Sequence, residues 1–374
     1  MSVVVVAGAG TVPASAPVGF TRAMKARGLL SSALAAASAA LFLPASAPAE
    51  PEPIVVPVAF SGSGGFELFG ELTIPPIEPS GRGYPAVLLL PGSGPTDRDG
   101  NQLPALRTDL LKQISDRLVA DGFATLRFDK RAVPARYGAK FPTQLREMRT
   151  FFSWEAFVRD VVGATTFLAN RPEVDASRIG IFGHSEGALL ALEAVQRPGM
   201  PATPRALVLA AGPGRPMGEI LREQLARSFQ RMGMPAANQT EILSGLEQVV
   251  RVVRHTSTLP RDMHPALRPL FAPYIGLYMQ GFLGADPIDL ARRAPGSVLV
   301  VQGSADIQIS AERDARPLFQ ALRSRPSRHS QLKIVPGASH NFKAVSDPDK
   351  EPGFAGPSVP EFLDGVSQFL RAQL

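Results

Sequence analysis

Short, mostly apolar runs recur along the chain, and each ends at a turn or a polar cluster. They lie at 86–90, 123–128, 179–182, 206–211, 297–301 and 332–335. Continuous rather than alternating apolarity is typical of parallel strands that are buried on both faces. Two further β-rich runs, 54–60 and 66–74, flank a Gly/Ser-rich turn and predict a hairpin at a sheet edge. The pattern therefore predicts eight strands.

Helical patterns alternate with most of these runs, at 109–121, 154–170 and 186–196. This alternation predicts an α/β fold with a mostly parallel, doubly wound sheet. The interval 213–293 breaks the rhythm, because it contains helical patterns without a strand candidate. We interpret it as a helical lid inserted into the sheet domain, and the alternative is a separate all-helical domain.

The N-terminal segment has the plan of a secretory signal. Lys25 and Arg27 precede an apolar stretch at 29–43, and small residues follow as far as Ala49. The stretch is shorter than the roughly 20 residues that a membrane-spanning helix needs. We expect translation to start at Met24, cleavage near Ala49, export to the periplasm or medium, and no stable membrane insertion afterwards. A retained anchor and a disordered Ala-rich tail are the alternatives.

The predicted mature domain, 50–374, carries little net charge. The formal charge of the whole chain is +6, but three cations lie within the leader at 1–49, and their removal leaves 36 basic and 33 acidic residues. Such a balance forms no concentrated basic stripe, so it does not favour nucleic-acid binding. Cysteine is absent from the sequence, which excludes disulfides, thiolate metal sites and a cysteine nucleophile.

One strand runs directly into a nucleophile motif. The run 179–182 is followed by Gly183-His184-Ser185-Glu186-Gly187 and then by a helical pattern. This strand, turn and helix context is the one in which G-x-S-x-G exposes a serine on a tight turn. We predict that Ser185 is a nucleophile, against the alternative of an ordinary serine in a turn.

A serine hydroxyl needs a base, and the sequence contains five histidines. His184 adjoins the nucleophile and should point elsewhere, His255 and His264 fall in the predicted lid, and His329 precedes the last strand among polar residues. His340 follows that strand, at the edge of the sheet where open α/β folds gather their sites. It is our candidate base.

The third member should be an acid between the serine and the histidine in chain order. Asp306 follows the strand 297–301, at its carboxyl end. Asp286 and Asp289 lie before that strand, where we expect them to cap a helix, and they remain alternatives. Asp306 is the candidate that would orient His340.

The oxyanion formed by attack on a carbonyl needs fixed donors. In a fold of this kind they are backbone N–H groups after the nucleophile and after the third strand. Here these belong to Glu186 and Ser93, and Gly94 is an alternative to Ser93. The sequence does not favour phosphate binding by this Gly-rich loop, because the loop lacks the Gly-Lys-Ser/Thr ending of a phosphate-binding P-loop.

The loop 91–101 and the Gly183–Gly187 elbow resemble bacterial α/β-hydrolase esterases related to dienelactone hydrolases and serine aminopeptidase-like hydrolases. The resemblance implies an α/β-hydrolase fold and carboxylesterase activity, usually on short acyl chains, without a cofactor. The chain departs from that family at 129–134, where Asp-Lys-Arg-Ala-Val-Pro replaces Asp-Lys-Arg-Gly-x-Gly. We expect another path for this loop, and a buried ion pair of Asp129 with Lys130 or Arg131.

These features together predict a serine hydrolase that cleaves small carboxylic esters through an acyl-enzyme intermediate. An exported peptidase or aminopeptidase-like hydrolase would use the same triad, and a catalytically silent ligand-binding protein is the third possibility. No metal is expected, because the sequence contains no His/Asp/Glu cluster with ligand spacing.

Overall fold

A computed structural model describes residues 51–374 except 80, 202, 327–328 and 350–352. The predicted leader at 1–49, including the start at Met24 and the cleavage near Ala49, lies outside the described residues. Residues Glu52–Leu374 form one compact unit.

An eight-stranded sheet forms the centre of this unit, as predicted. Its spatial order is β1-β2-β4-β3-β5-β6-β7-β8. The strands are β1 Ile54–Ser61, β2 Glu67–Ile74, β3 Tyr84–Leu90, β4 Ala124–Phe128, β5 Val174–His184, β6 Ala206–Ala210, β7 Ser297–Gly303 and β8 Ser330–Val335. The predicted edge hairpin is present as antiparallel β1 and β2. Strand β2 also pairs antiparallel with β4, and the other pairings are parallel.

Helices cover both faces of the sheet. They are α1 Leu110–Ala120, α2 Pro134–Tyr137, α3 Leu145–Phe151, α4 Trp154–Ala169, α5 Glu186–Ala194, α6 Met217–Arg231, α7 Ala236–Thr256, α8 Gly276–Gly284, α9 Pro287–Arg293, α10 Arg316–Arg323 and α11 Pro360–Gln373. Short turns of other helical type lie at Ser63–Gly65, Gly138–Lys140, Pro265–Leu270 and Ala311–Ala315. No helix in the described part of the chain has both the length and the apolarity needed to cross a membrane.

Strand β3 shows why its apolar run is continuous. Leu88 and Leu90 pack into the core on the face that carries α4 and α5, whereas Val87 and Leu89 pack on the opposite face with α1 and α11. Successive side chains of a strand point to opposite faces, so a strand at the centre of three layers needs an apolar residue at every position.

The interval between β6 and β7 contains α6 to α9, in agreement with its helical pattern. Ile220 of α6 and Phe282 of α8 belong to the same hydrophobic core as Leu88 of the sheet. The part of this interval that precedes α9 contains the turn Pro265–Leu270 and the helix α8. Pro273 lies between them and has no N–H to donate to a preceding helical turn.

After β4 the chain enters the short helix α2. Pro134 begins α2, where the fixed proline backbone suits the first helical position. The predicted pairing of Asp129 is wrong: its carboxylate binds Arg98 at 2.5 Å and Arg136 at 3.3 Å. The neighbouring cations point to other elements, because successive residues of an extended chain face different ways.

Leu88 provides a test of the central layer. It is fully buried in β3 between Leu126 and Ile181. We expect Leu88→Ala to lower the free energy of unfolding by about 2–5 kcal/mol, through lost burial and the cavity left behind. Urea denaturation measures this change. The matched control is Leu145→Ala at a position that is 53% exposed, where the change should stay within about 0.5 kcal/mol. Equal effects at the two positions would contradict the assignment of β3 to the core.

Candidate active site

Ser185 occupies a strained turn between β5 and α5. Its φ and ψ are 55° and −118°, a conformation that L-residues rarely adopt. Its N–H donates to the carbonyl oxygen of Ala210 in β6 at 2.8 Å. A Cβ on Gly183 would lie 2.3 Å from the carbonyl oxygen of Gly187, and one on Gly187 would lie 2.6 Å from that of Leu90. Only glycine fits at both positions, so the sequence motif follows from the close approach of three backbones.

Asp306 and His340 lie side by side on the loops that follow β7 and β8. The Nδ1 of His340 donates to Oδ2 of Asp306 at 2.7 Å. The other carboxylate oxygen accepts the N–H groups of Gln308 at 2.7 Å and Ile309 at 3.0 Å. The Gln302 amide donates to Oδ2 at 2.8 Å. These contacts hold the carboxylate in one orientation and leave Nε2 of His340 as the acceptor of the neutral ring.

The balance of these contacts keeps Asp306 charged. Burial alone would raise the pKa of Asp306, but His340 and the two backbone donors outweigh burial and lower that pKa below its ordinary value. A charged carboxylate fixes the tautomer of the imidazole and stabilises it when it is protonated.

A cavity of about 400 Å³ opens in front of Ser185 and His340, which both line it. Asp306 lies behind His340, and its side chain is fully buried. Within the described residues, no hydrogen bond joins the hydroxyl of Ser185 to His340. Both groups line the cavity, where a hydrogen bond between a nucleophile and its base commonly tightens only when substrate binds.

Ser93 and Glu186 line the same cavity. Glu186 is the first residue of α5, and the N–H groups of a first helical turn have no partner within the helix. In the part of the chain that the structure describes, neither of these two N–H groups donates a hydrogen bond to an acceptor. The carbonyl oxygen of Ser93 accepts the Gln102 amide at 2.7 Å. The same amide limits the space at Gly94, where a Cβ would lie 3.0 Å from Gln102 Nε2.

The ring of His184 is hydrogen-bonded to the loop that carries His340. Its Nε2 donates to the carbonyl oxygen of His340 at 2.9 Å, and the two rings lie 4.8 Å apart. Burial, together with the nearby charge of His340, lowers the pKa of His184 to about 3. The ring is therefore neutral near pH 7, and it supports the loop that carries His340.

The other candidates lie elsewhere. The side chain of Asp286 caps α9 by accepting hydrogen bonds from the N–H groups of Ile288 and Asp289. This is the helix-capping role that the sequence predicted. Gln102 and Gln302 also contact the candidate site. The sequence did not indicate them, because each makes its contact through one long side chain and belongs to no recognisable motif. No group of three or more His, Cys, Asp or Glu among the described residues is arranged to hold a metal ion.

Comparison with known proteins identifies the family of this chain. Residues 87–351 match the sequence profile of the alpha/beta hydrolase family. The chain belongs to this family. The family that the loop 91–101 and the Gly183–Gly187 elbow indicated is thus confirmed.

Relatives of this alpha/beta hydrolase family member include the esterase EstD of Thermotoga maritima. The two are 30% identical over 257 residues, which are 68% of this chain and 54% of the relative. The chain thus spans about half the length of the curated relative that it matches.

Solved structures share the fold. A hypothetical protein of Pseudomonas aeruginosa has a TM-score of 0.52 and 18% identity, over 87% of this chain and 95% of that one. An esterase of Pyrococcus furiosus has a TM-score of 0.50 and 16% identity, over 86% of this chain and 91% of that one.

The neutral state of His184 makes the stability of this family member depend on pH. The unfolded chain takes up the proton near the ordinary histidine pKa of about 6.5, whereas the folded chain takes it up only near 3. Between these values the unfolded state holds more protons. The contribution of His184 to the free energy of unfolding is therefore fully present above about pH 6.5. It is lost as the pH falls towards the pKa of His184 in the folded protein.

We expect His184→Gln to remove this pH dependence, because glutamine does not titrate. The glutamine amide can still donate to the same carbonyl oxygen, so the structural contact is kept. Urea denaturation at about pH 7.5, 6 and 5 compares the slopes of unfolding free energy against pH. His329→Gln, at an exposed position, controls for the loss of a histidine as such. Parallel profiles for wild type and His184→Gln would show that the buried ring is not the source.

Proposed function

We propose that this protein is a serine hydrolase that cleaves carboxylic esters, with Ser185, His340 and Asp306 as its triad. One observation carries the proposal. Ser185 sits on a strained turn with φ of 55° and faces a cavity that His340 also lines, while Asp306 engages the far nitrogen of the His340 ring. This is the division of roles that an activated serine needs.

The hydroxyl oxygen of Ser185 attacks the ester carbonyl, and its proton passes to Nε2 of His340. The N–H groups of Ser93 and Glu186 donate to the oxyanion that forms. When the tetrahedral intermediate breaks down, the C–O bond to the alcohol breaks and His340 returns the proton to the leaving oxygen. Water then attacks the acyl-enzyme with the same proton transfers, which releases the acid and restores Ser185.

The walls of the cavity support a small, uncharged acyl group. Aliphatic side chains of Leu106, Met217 and Ile309 form part of them, and the amides of Gln224 and Gln308 supply polar contacts. A volume of about 400 Å³ lies near the lower end of the range for small-molecule sites. The relative in T. maritima, itself named an esterase, gives independent support for an ester substrate.

The helices α6 to α9 are proposed to serve as the lid. Met217 and Gln224 of α6 belong to the wall of the cavity, so a movement of α6 changes the space available to the substrate. Specificity in enzymes of one fold commonly lies in such variable segments.

Loss of the nucleophile tests the proposed function first. We expect the wild-type protein to hydrolyse p-nitrophenyl acetate and butyrate faster than the octanoate. Ser185→Ala should lower kcat on the order of 10⁶-fold, as when a serine nucleophile is removed from its triad. Ser177→Ala, at the exposed opposite end of β5, is the matched control and should keep full activity.

The other outcomes of this assay separate the alternatives. Activity retained by Ser185→Ala would exclude this serine as the nucleophile. Cleavage of an aminoacyl anilide without cleavage of esters would indicate a peptidase, and no turnover of any substrate would favour a silent ligand-binding protein.

Replacement of the acid distinguishes Asp306 from its alternatives. We expect Asp306→Asn to lower kcat by about 10⁴-fold, because an amide no longer selects the required imidazole tautomer. Asp286→Asn should leave kcat unchanged, since asparagine caps a helix about as well as aspartate. Steady-state kinetics with p-nitrophenyl acetate measures both variants. A large loss in Asp286→Asn instead would transfer the role of the acid to that residue.

A further inference from the structure

A buried ion pair lies directly beneath the proposed oxyanion site. The ammonium of Lys130 donates to Oε1 of Glu186 at 2.8 Å, and both side chains are almost completely buried. Lys130 follows β4, whereas Glu186 begins α5 immediately after Ser185. The pair therefore joins the end of one strand to the start of the nucleophile helix.

Lys130 has a second contact that bears on the chemistry. Its ammonium also donates to the carbonyl oxygen of Gly92 at 3.0 Å. This carbonyl and the N–H of Ser93 belong to the same planar trans peptide, in which C=O and N–H point in opposite directions. A cation held on the oxygen therefore directs the Ser93 N–H away from Lys130. Gly92 and Ser93 line the cavity, and Lys130 is not part of its wall.

The remaining groups around the pair are satisfied. Oε2 of Glu186 accepts the hydroxyl of Tyr278 in α8 at 2.5 Å. The ammonium of Lys130 lies 5.2 Å from the centre of the Phe157 ring, on its face. Buried charges are retained at low cost only when their partners are complete, as they are here.

We propose that Lys130 and Glu186 are positioning residues for the two oxyanion donors. Lys130 holds the Gly92–Ser93 peptide in the orientation that presents its N–H, and the Glu186 carboxylate holds Lys130 in place while the N–H of the same residue supplies the second donor. The cation on the carbonyl oxygen also polarises the peptide and strengthens its N–H as a donor. This inference rests on the proposed function, and it assigns the lysine and the carboxylate a part in transition-state stabilisation rather than in substrate binding.

The test uses the double variant Lys130→Met/Glu186→Gln. Removing both charges avoids leaving one buried ion alone, and glutamine retains an acceptor for Tyr278. The matched control is Arg131→Met/Asp160→Asn, which removes the neighbouring buried ion pair, at 2.5 Å. This second pair contacts the backbone at Ser63 and Phe151 but not the loop after β3.

We expect the Lys130/Glu186 double variant to lower kcat for p-nitrophenyl acetate by about 10- to 100-fold, less than the 10²- to 10³-fold that follows complete removal of an oxyanion donor. KM should change little, because binding of the substrate in its ground state does not depend on the orientation of the Ser93 N–H. The affinity for a trifluoromethyl ketone, which forms an oxyanion on the serine, should fall in parallel with kcat. The control variant should retain both values. Unchanged kcat and ketone affinity in the Lys130/Glu186 variant, or an equal loss in the control, would overturn the proposal.

A single variant separates the two members. Glu186→Gln weakens the hold on Lys130 but keeps an amide oxygen that can accept from its ammonium, which still contacts the Gly92 carbonyl, so its kcat should lie between those of the wild type and the double variant. A crystal structure of the double variant provides a readout that does not depend on activity. Rotation of the Gly92–Ser93 peptide supports the positioning role. If the wild type cleaves no ester, that result refutes the proposed function but leaves the positioning role supported by the rotation. An unrotated peptide overturns the positioning role.

Discussion

Close backbone packing around the β5–α5 turn is the constraint on which the rest of the site depends. The end of β3, the end of β5 and the start of α5 approach so closely that a single methyl group on Gly183 or Gly187 would overlap main-chain atoms. This contact fixes the position of Ser185 and, with it, the distance from the helix to the loop after β3. Because main-chain atoms form it, the geometry is insensitive to side-chain rotamers, and the surrounding side chains need only refine it.

Three consecutive residues after β4 extend this constraint through charge. The side chains of Asp129, Lys130 and Arg131 reach Arg98, Glu186 and Asp160, which belong to the loop after β3 and to α5 and α4. Each pair is buried on at least one side, so water does not screen it strongly. One short segment thus ties the loop after β3, α5 and α4 to the end of β4, and of its three side chains Lys130 contacts a residue of the cavity wall.

Much of this architecture could be predicted from the sequence, because its signals are local. Strands of the central layer must be apolar on both faces, and the elbow needs glycines around its serine, so both leave continuous patterns in the chain. The partners of Asp129 could not be predicted, since the choice between Arg98 and the adjacent Lys130 depends on side-chain directions in the folded state. The contacts of Gln302 with Asp306 and of Tyr278 with Glu186 were missed for the same reason. They join positions that only the completed sheet and its inserted helices bring together.

The insertion of α6 to α9 occupies a permissive place in the topology. It leaves the sheet after β6 and returns at β7, and these two strands are direct neighbours in register, with Ala206 opposite Ser297. The hydrogen bonds between them do not depend on how many residues the excursion contains. Evolution or an engineer can therefore exchange this segment as a module, and with it the part of the cavity wall that Met217 and Gln224 form, while the strands that lead to Ser185, Asp306 and His340 keep their pairing.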